Sequence, residues 1–121
     1  MHWIKRINTI VYCEKWLETV AFYEHQLELT PSYRSEWFVE FEISESAGFS
    51  VADASCTTIK SGKGKGITLS FQVDRLEKIW NRFSRHGLEP TPVKTHSMNA
   101  RVFYLYDPEG HRIEFWEKSD I

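Results

Sequence analysis

Glu114 is the residue of this chain whose position most clearly suggests chemistry. It is the only acid in an alternating segment from Arg112 to Trp116, and a Pro/Gly turn from Asp107 to Gly110 precedes that segment. Alternation puts Arg112, Glu114 and Trp116 on one strand face, away from the apolar residues between them. A carboxylate in that place could hold a metal ion, act as a general base, or bind a cationic group of a ligand or of Arg101 or Arg112. A purely structural role is the remaining alternative.

The histidines do not form a second site in the sequence. His25 and His86 fall near the ends of two predicted helices, where the helix dipole alone favours them. His111 follows Gly110 and is typical of a solvated turn residue. No two histidines have the spacing of a metal-binding pair, so a metal site made of histidines is not expected.

Charge, hydrophobicity and cysteine content argue against several classes of protein. The chain has 121 residues, 41% of them hydrophobic, with 15 basic against 17 acidic residues and a net charge of −2. This balance provides no excess of positive charge for binding nucleic acid, and no apolar run reaches membrane-spanning length. Cys13 and Cys56 lie outside any Cys-x-x-Cys motif and no secretory leader is recognisable, so reduced thiols and a cytoplasmic location are expected.

An internal repeat supplies the elements that would position these residues. Two amphipathic helices are predicted, from 16 to about 27 and from 76 to about 86, and they superpose at an offset of sixty residues. Short strands at 7–12 and 67–72 precede them, and the same offset places Asn8 on Thr68. Further strands are predicted at 30–33, 37–43, 48–53, 89–95, 101–106 and 112–117.

The sequence therefore predicts an α+β fold with two tandem β-α-β-β-β modules. Module one spans about residues 5–58, a linker about 59–66, and module two about 67–118. A module of this size buries little apolar surface alone. The two modules are therefore expected either to share an interior or to exchange partners in a dimer.

The order of elements and two local signatures resemble the vicinal oxygen chelate superfamily, which includes glyoxalase I, extradiol dioxygenases, fosfomycin resistance enzymes and bleomycin resistance proteins. The signatures are Ala21-Phe-Tyr-Glu-His-Gln-Leu-Glu-Leu29 and the terminal Asp107-Pro-Glu-Gly-x-x-Ile-Glu114. The resemblance covers nearly the whole chain, from about Ile7 to Glu117. It implies that the modules form a U-shaped, curved mixed sheet with the site on its concave face, and that the protein is a homodimer.

Metal-dependent members of that superfamily hold a divalent ion through His or Gln on the first strands and Glu on the last strands. Carried onto this chain, these positions are Asn8, Thr68, Glu114 and a residue near Ala52. Only Glu114 is a strong ligand, whereas catalytic zinc, iron or manganese needs about three His or carboxylate ligands. The comparison therefore implies no metal cofactor; the alternative is a hard ion such as Mg²⁺ or Ca²⁺ held by Glu114 with Asn8 and Thr68.

The concave face would offer polar and aromatic side chains to an organic ligand. Alternation from Asn8 and Thr68 gives a polar strip, and aromatic residues are dense in the other strands. An aromatic residue in a strand is more often part of a core than of a ligand site. The sequence leaves the alternation within 101–106 undecided. The predicted ligand-binding residues are Asn8, Tyr12, Trp37, Phe41, Thr68, Ser70, Gln72, Phe103, Tyr104 and Trp116.

These features favour a metal-independent protein that binds a small organic ligand in an aromatic-lined cup, for sequestration or sensing. An alternative is a lyase, isomerase or dioxygenase-like enzyme in which Glu114 is the base or the one strong metal ligand, with substrate oxygens completing the coordination. A third is a partner-binding module that retains the cup without using it. No nucleic-acid or membrane partner is expected.

Overall fold

The structure of the chain, a computed structural model, describes residues 3–96 and 99–119. Two units follow each other along the chain, with the boundary between Gly64 and Lys65. This boundary falls within the segment predicted as a linker, residues 59–66. Each unit has its own four-stranded sheet.

The first unit repeats the predicted order of elements. Its elements are β1 (Ile7–Cys13), α1 (Trp16–Ala21), a π-helical turn (Phe22–Gln26), β2 (Thr30–Arg34), β3 (Phe38–Ser44), β4 (Ala47–Asp53) and a short 3-10 helix (Ala54–Cys56). The sheet order is β1-β4-β3-β2, with β1 parallel to β4 and the other neighbours antiparallel. The predicted first helix therefore begins where expected and continues past Ala21 with a wider turn.

The second unit has the same topology. Its elements are β5 (Thr68–Gln72), α2 (Leu76–Arg85), β6 (Lys94–His96), β7 (Ala100–Tyr106) and β8 (Arg112–Lys118). The sheet order is β5-β8-β7-β6, with β5 parallel to β8. The predicted α+β class with two β-α-β-β-β modules is confirmed. No helix in the described parts of the chain is long and apolar enough to cross a membrane.

One predicted strand is much shorter than expected. The sequence indicates a strand over 89–95, but β6 covers only Lys94–His96. Pro90 and Pro92 have no backbone N–H to give to a ladder, so the segment before β6 does not pair regularly. Thr91, between the two prolines, still contacts β7: its N–H donates to the Tyr104 carbonyl at 3.0 Å and its Oγ1 accepts from the Tyr104 N–H at 2.8 Å.

The helix face of the first sheet forms the core of that unit. Tyr23, in the π-helical turn, has its ring centroid 4.7 Å from that of Phe49 and 6.2 Å from that of Phe41. Val39 and Val51 are also fully buried. Phe41, predicted to line the ligand site, is instead a core residue, because alternation in β3 turns its side chain toward the helix.

The helix face of the second sheet is built in the same way. The Phe83 ring of α2 lies 6.1 Å from Phe103 and 5.3 Å from Phe115, and the Phe103 and Phe115 rings stack at 5.2 Å. Phe103 is completely buried. The prediction that Phe103 lines the ligand site is therefore wrong, since it packs in the core between β8 and α2.

Candidate functional site

Strand pairing gathers most of the predicted site residues of the second unit on one sheet face. In the β5–β8 register, Thr68 pairs with Arg112, Ser70 with Glu114 and Gln72 with Trp116, and Glu114 also pairs with Tyr104 of β7. This is the face opposite α2. Here it is called the Glu114 face, and its members are Thr68, Ser70, Gln72, Tyr104, Arg112, Glu114 and Trp116.

Glu114 is held on this face by two hydroxyl groups. The Ser70 Oγ donates to Oε1 at 2.5 Å, and the Tyr104 hydroxyl donates to Oε2 at 3.4 Å. The first hydrogen bond is short and charge-assisted, whereas the second is at the outer limit of hydrogen-bond length. One carboxylate oxygen is thus firmly fixed, and the other is able to accept a stronger donor from a ligand. Glu114 forms no ion pair within residues 3–96 and 99–119.

Arg112 lies two residues before Glu114 and points to the same face. Its Nε donates to the Thr68 Oγ1 at 3.1 Å, and its guanidinium carbon lies 4.8 Å from the centroid of the Tyr104 ring. This is the geometry of a cation–π contact. Arg112 is exposed, and no carboxylate of the described chain pairs with it. The Glu114 face therefore presents a carboxylate and a guanidinium side by side.

The corresponding face of the first unit carries Asn8 and Tyr12. Asn8 pairs with Gly48 and Tyr12 with Ala52 in the β1–β4 register. Ser50, which is fully buried on the same face, donates its hydroxyl to the Asn8 Oδ1 at 2.8 Å. The Asn8 amide oxygen is therefore already engaged by the protein.

The strand register corrects the predicted counterpart of Glu114 in the first unit. Ile10 and Ser70 occupy equivalent positions of β1 and β5, and they pair with Ser50 and Glu114, respectively. The counterpart is therefore Ser50 and not Ala52. The turn between the last two strands differs in length between the units, and a constant sequence offset cannot follow such a gap.

An ion pair occupies the first unit where the second has Arg112 and Tyr104. By register, Gly48 corresponds to Arg112, and Glu40, which pairs with Ser50, corresponds to Tyr104. Arg6, from the segment before β1, forms an ion pair with Glu40. The pair lies over Gly48, since a Cβ at position 48 would be 2.6 Å from a Glu40 carboxylate oxygen. Arg6 and Glu40 were not predicted as a pair, because Arg6 lies outside the strand whose alternation could have indicated its direction.

Trp37 lies just before β3 and is 41% exposed. Its ring makes an edge contact with Phe38 at 5.4 Å, and its carbonyl accepts from the Asp53 N–H at 2.8 Å. Because Trp37 precedes the strand, the register does not assign it to either sheet face. Its role in ligand binding stays a prediction.

The turn before β8 is more buried than the sequence indicates. The Asp107 Oδ1 accepts from the backbone N–H groups of Glu109 and His111 at 3.0 and 2.9 Å, and Oδ2 lies 2.8 Å from the His111 Nδ1. His111 is only 4% exposed, so the prediction of a solvated turn residue is wrong. This network fixes the start of the strand that carries Arg112 and Glu114.

Comparison with known proteins identifies the family. The model of the Glyoxalase/Bleomycin resistance protein/Dioxygenase superfamily matches residues 6–115. The chain belongs to this superfamily. No protein with a curated function matches it significantly.

Several solved structures share the fold of this chain. A lactoylglutathione lyase from Agrobacterium tumefaciens is similar with a TM-score of 0.76 at 15% identity, over 92% of this chain and 91% of that one. A glyoxalase/bleomycin resistance protein/dioxygenase from Nocardioides has a TM-score of 0.77 at 21% identity, over 93% of this chain and 82% of that one. A protein of unknown function from Agrobacterium tumefaciens str. C58 has a TM-score of 0.75 at 24% identity, over 98% of this chain and 94% of that one. At these identities the likeness establishes the fold.

Members of the superfamily often use metals, which need several strong donors at the expected ligand positions. In the first unit these donors are the Asn8 amide and the Ser50 hydroxyl, which are hydrogen-bonded to each other. In the second unit they are the Glu114 carboxylate and the Thr68 hydroxyl, which accepts from Arg112. No group of three or more His, Cys, Asp or Glu side chains in the described residues could hold a metal ion. The donors of neither unit fit zinc, iron or manganese.

Proposed function

We propose that this protein binds a small organic ligand without a metal ion, on the Glu114 face. The observation that carries the proposal is the state of Glu114, which is oriented by Ser70 and only loosely contacted by Tyr104. A carboxylate held in this way can accept a hydrogen bond from a ligand N–H or O–H group. A metal ligand, by contrast, would need further strong donors beside it.

The neighbours of Glu114 suit an amphipathic ligand. Trp116 and Tyr104 are half-buried, so each offers an aromatic surface for apolar contact. Ser70 and Gln72 on β5 add exposed polar groups that could fix the orientation of a bound molecule. A few polar groups beside aromatic surface are typical of sites for small organic molecules.

The proposed biological role is to hold the ligand, for sequestration or sensing, in a cytoplasmic homodimer. A reducing compartment is proposed because Cys13 and Cys56 form no disulfide bond within residues 3–96 and 99–119. The dimer rests on the likeness to the superfamily and is tested by light scattering coupled to size-exclusion chromatography. A monomer at every accessible concentration would remove that part of the proposal.

The binding proposal is tested by tryptophan fluorescence and elemental analysis of protein purified without chelator. We expect saturable quenching by at least one compound of a library of small aromatic molecules, with no stoichiometric metal before or after incubation with Zn²⁺, Mn²⁺, Fe²⁺ or Mg²⁺. Glu114→Gln is expected to weaken binding about tenfold or more, because it replaces a charged acceptor by a neutral one. Glu77→Gln, on the opposite side of the same unit, is the matched control.

A stoichiometric metal that is lost in Glu114→Gln would contradict the proposal. It would favour the alternative of a lyase, isomerase or dioxygenase-like enzyme with Glu114 as metal ligand, and turnover would then be sought. Metal-independent turnover abolished by the same substitution would instead favour Glu114 as a general base.

A further inference from the structure

The Glu114 face displays two opposite charges that do not neutralise each other. Arg112 and Glu114 are two residues apart on β8, so their Cα atoms are separated by about 7 Å. Neither side chain forms an ion pair with any residue of the described segments. Arg112 is exposed and Glu114 is half-buried, which leaves both within reach of a bound molecule.

Hydrogen bonds to other residues hold the two charges in separate places. Thr68 accepts from the Arg112 Nε and the Tyr104 ring lies under the guanidinium, while Ser70 draws the Glu114 carboxylate toward β5. The Nη groups of Arg112 and the Oε2 of Glu114 are thereby left for stronger partners. A guanidinium and a carboxylate that are both fixed and unpaired favour a ligand that carries the complementary charges.

Three arginine–glutamate pairs in the described parts of the chain are in direct contact. Arg6 pairs with Glu40 on the corresponding face of the first unit. Arg101 pairs with Glu77 on the helix side of the second unit, and Arg34 pairs with Glu24 at 2.7 Å. In these three pairs the guanidinium contacts the carboxylate, whereas Arg112 and Glu114 are held apart by Thr68 and Ser70.

We propose that the ligand of the Glu114 face is a zwitterion with an aromatic or apolar body. Its cationic nitrogen donates to the Glu114 Oε2, its anionic group accepts from the Arg112 guanidinium, and its body packs on Trp116. The order of these three residues along β8 sets the order of the ligand groups. This inference rests on the proposed function, because it names the chemical class of the molecule bound at the same site.

The test compares four probes that share a phenylalkyl skeleton: L-phenylalanine (zwitterion), 2-phenylethylamine (cation), 3-phenylpropanoate (anion) and 2-phenylethanol (neutral). Dissociation constants are measured by tryptophan fluorescence and by amide chemical shifts of the unmodified protein. We expect L-phenylalanine to bind at least about tenfold more tightly than each singly charged probe, because it alone makes both charge-assisted contacts.

Two variants separate the two contacts. In Arg112→Gln, L-phenylalanine should bind no better than 2-phenylethylamine, and in Glu114→Gln no better than 3-phenylpropanoate. Arg101→Gln and Glu77→Gln remove an ion pair on the other side of the same sheet and should leave the preference unchanged. The comparison of probes on the unmodified protein needs no variant, so a variant that does not fold leaves the test intact.

The possible failures are distinguishable. If a singly charged or neutral probe binds as tightly as L-phenylalanine, the zwitterion is excluded while ligand binding stands. If none of the four binds but another library compound does, the inference is likewise wrong and the proposed function survives. If no compound of the library or of the four binds, both proposals fail.

Discussion

At the scale of single residues, Asp107 organises the turn from which β8 begins. Its carboxylate accepts two backbone N–H groups and contacts the His111 imidazole, and both side chains are buried. Buried N–H groups that lose their acceptor cost more than a hydrogen bond contributes when it is made. The position of Arg112, directly after His111, therefore depends on this carboxylate.

Asp107→Ala is expected to lower the free energy of unfolding by about 2 to 3 kcal/mol, because it leaves two N–H groups and an imidazole nitrogen buried without that acceptor. Urea denaturation measures the change. Asp74→Ala, at an exposed aspartate before α2, is the control and should change stability by less than about 0.5 kcal/mol. Equal losses in the two variants would show that the turn holds without the Asp107 carboxylate.

At the scale of elements, the direction of neighbouring side chains in β7 decides which of them belong to the site. Phe103 packs on α2, whereas Tyr104 faces Glu114. Residues 102–105 are all apolar or aromatic, so hydrophobicity does not alternate there and the sequence could not decide between the two faces. The strands β7 and β8 themselves were predictable, because they consist of β-forming residues and a Pro/Gly turn separates them.

Phe103→Ala is expected to lower the free energy of unfolding by about 3 to 5 kcal/mol, as deletion of a fully buried aromatic ring leaves a cavity. Tyr104→Phe, one residue away, removes only a long hydrogen bond and should cost less than about 1 kcal/mol. Chemical denaturation of both variants gives the comparison. Similar costs would contradict the side-chain directions in β7.

The π-helical turn after α1 buries two consecutive aromatic residues. Phe22 and Tyr23 are both buried, and the Leu27 N–H donates to the Phe22 carbonyl at 3.0 Å, a spacing of five residues. The sequence predicts the helix from its apolar spacing, but an extra residue in one turn leaves no signal in that spacing. Glu24, within this turn, pairs with Arg34 at the end of β2.

The Arg34 guanidinium donates a hydrogen bond to Glu24 and holds the pKa of that carboxyl below its ordinary value. Because the folded-state pKa is lowered, the contribution to stability is complete above the unfolded-state pKa and is lost as pH falls through the folded-state value. Arg34→Gln should therefore cost about 0.5 kcal/mol near pH 7 and nothing once Glu24 is protonated. Urea denaturation at a series of pH values checks this.

Lys78→Gln, at an exposed cation of α2, provides the control for that series. Its effect on stability should not follow the titration of Glu24. A cost of Arg34→Gln that stays constant down to the most acidic pH at which the protein is folded would contradict the assigned ion pair.

At the scale of the whole molecule, two units share one topology but differ in the chemistry of their polar faces. Glu114 and Tyr104 of the second unit correspond to Ser50 and Glu40 of the first. The sequence repeat predicts the shared topology, because helix periodicity and the first strands recur at a constant offset. The repeat cannot align the last strands of the two units, since turns of unequal length precede them. The polar face was therefore predicted better in the second unit than in the first.

The effect of a substitution at Gly48 on stability depends on whether Arg6 has been replaced first. A methyl group at position 48 would displace Arg6 and Glu40, whose ion pair lies across the bare backbone of β4. Gly48→Ala should cost up to about 1 kcal/mol while Arg6 is present, through loss of an exposed pair. In the background of Arg6→Ser it should be neutral or stabilising, because alanine suits a strand better than glycine.

A double-mutant cycle on unfolding free energies measures this sign change, and a cost that is the same in both backgrounds would contradict it. The result concerns how the sequences of two repeated halves diverge. A substitution that destabilises the protein in the present background becomes tolerable only after another substitution has removed the ion pair. For the first half of this chain, the Arg6–Glu40 pair has to be lost before alanine can be accepted at position 48 without penalty.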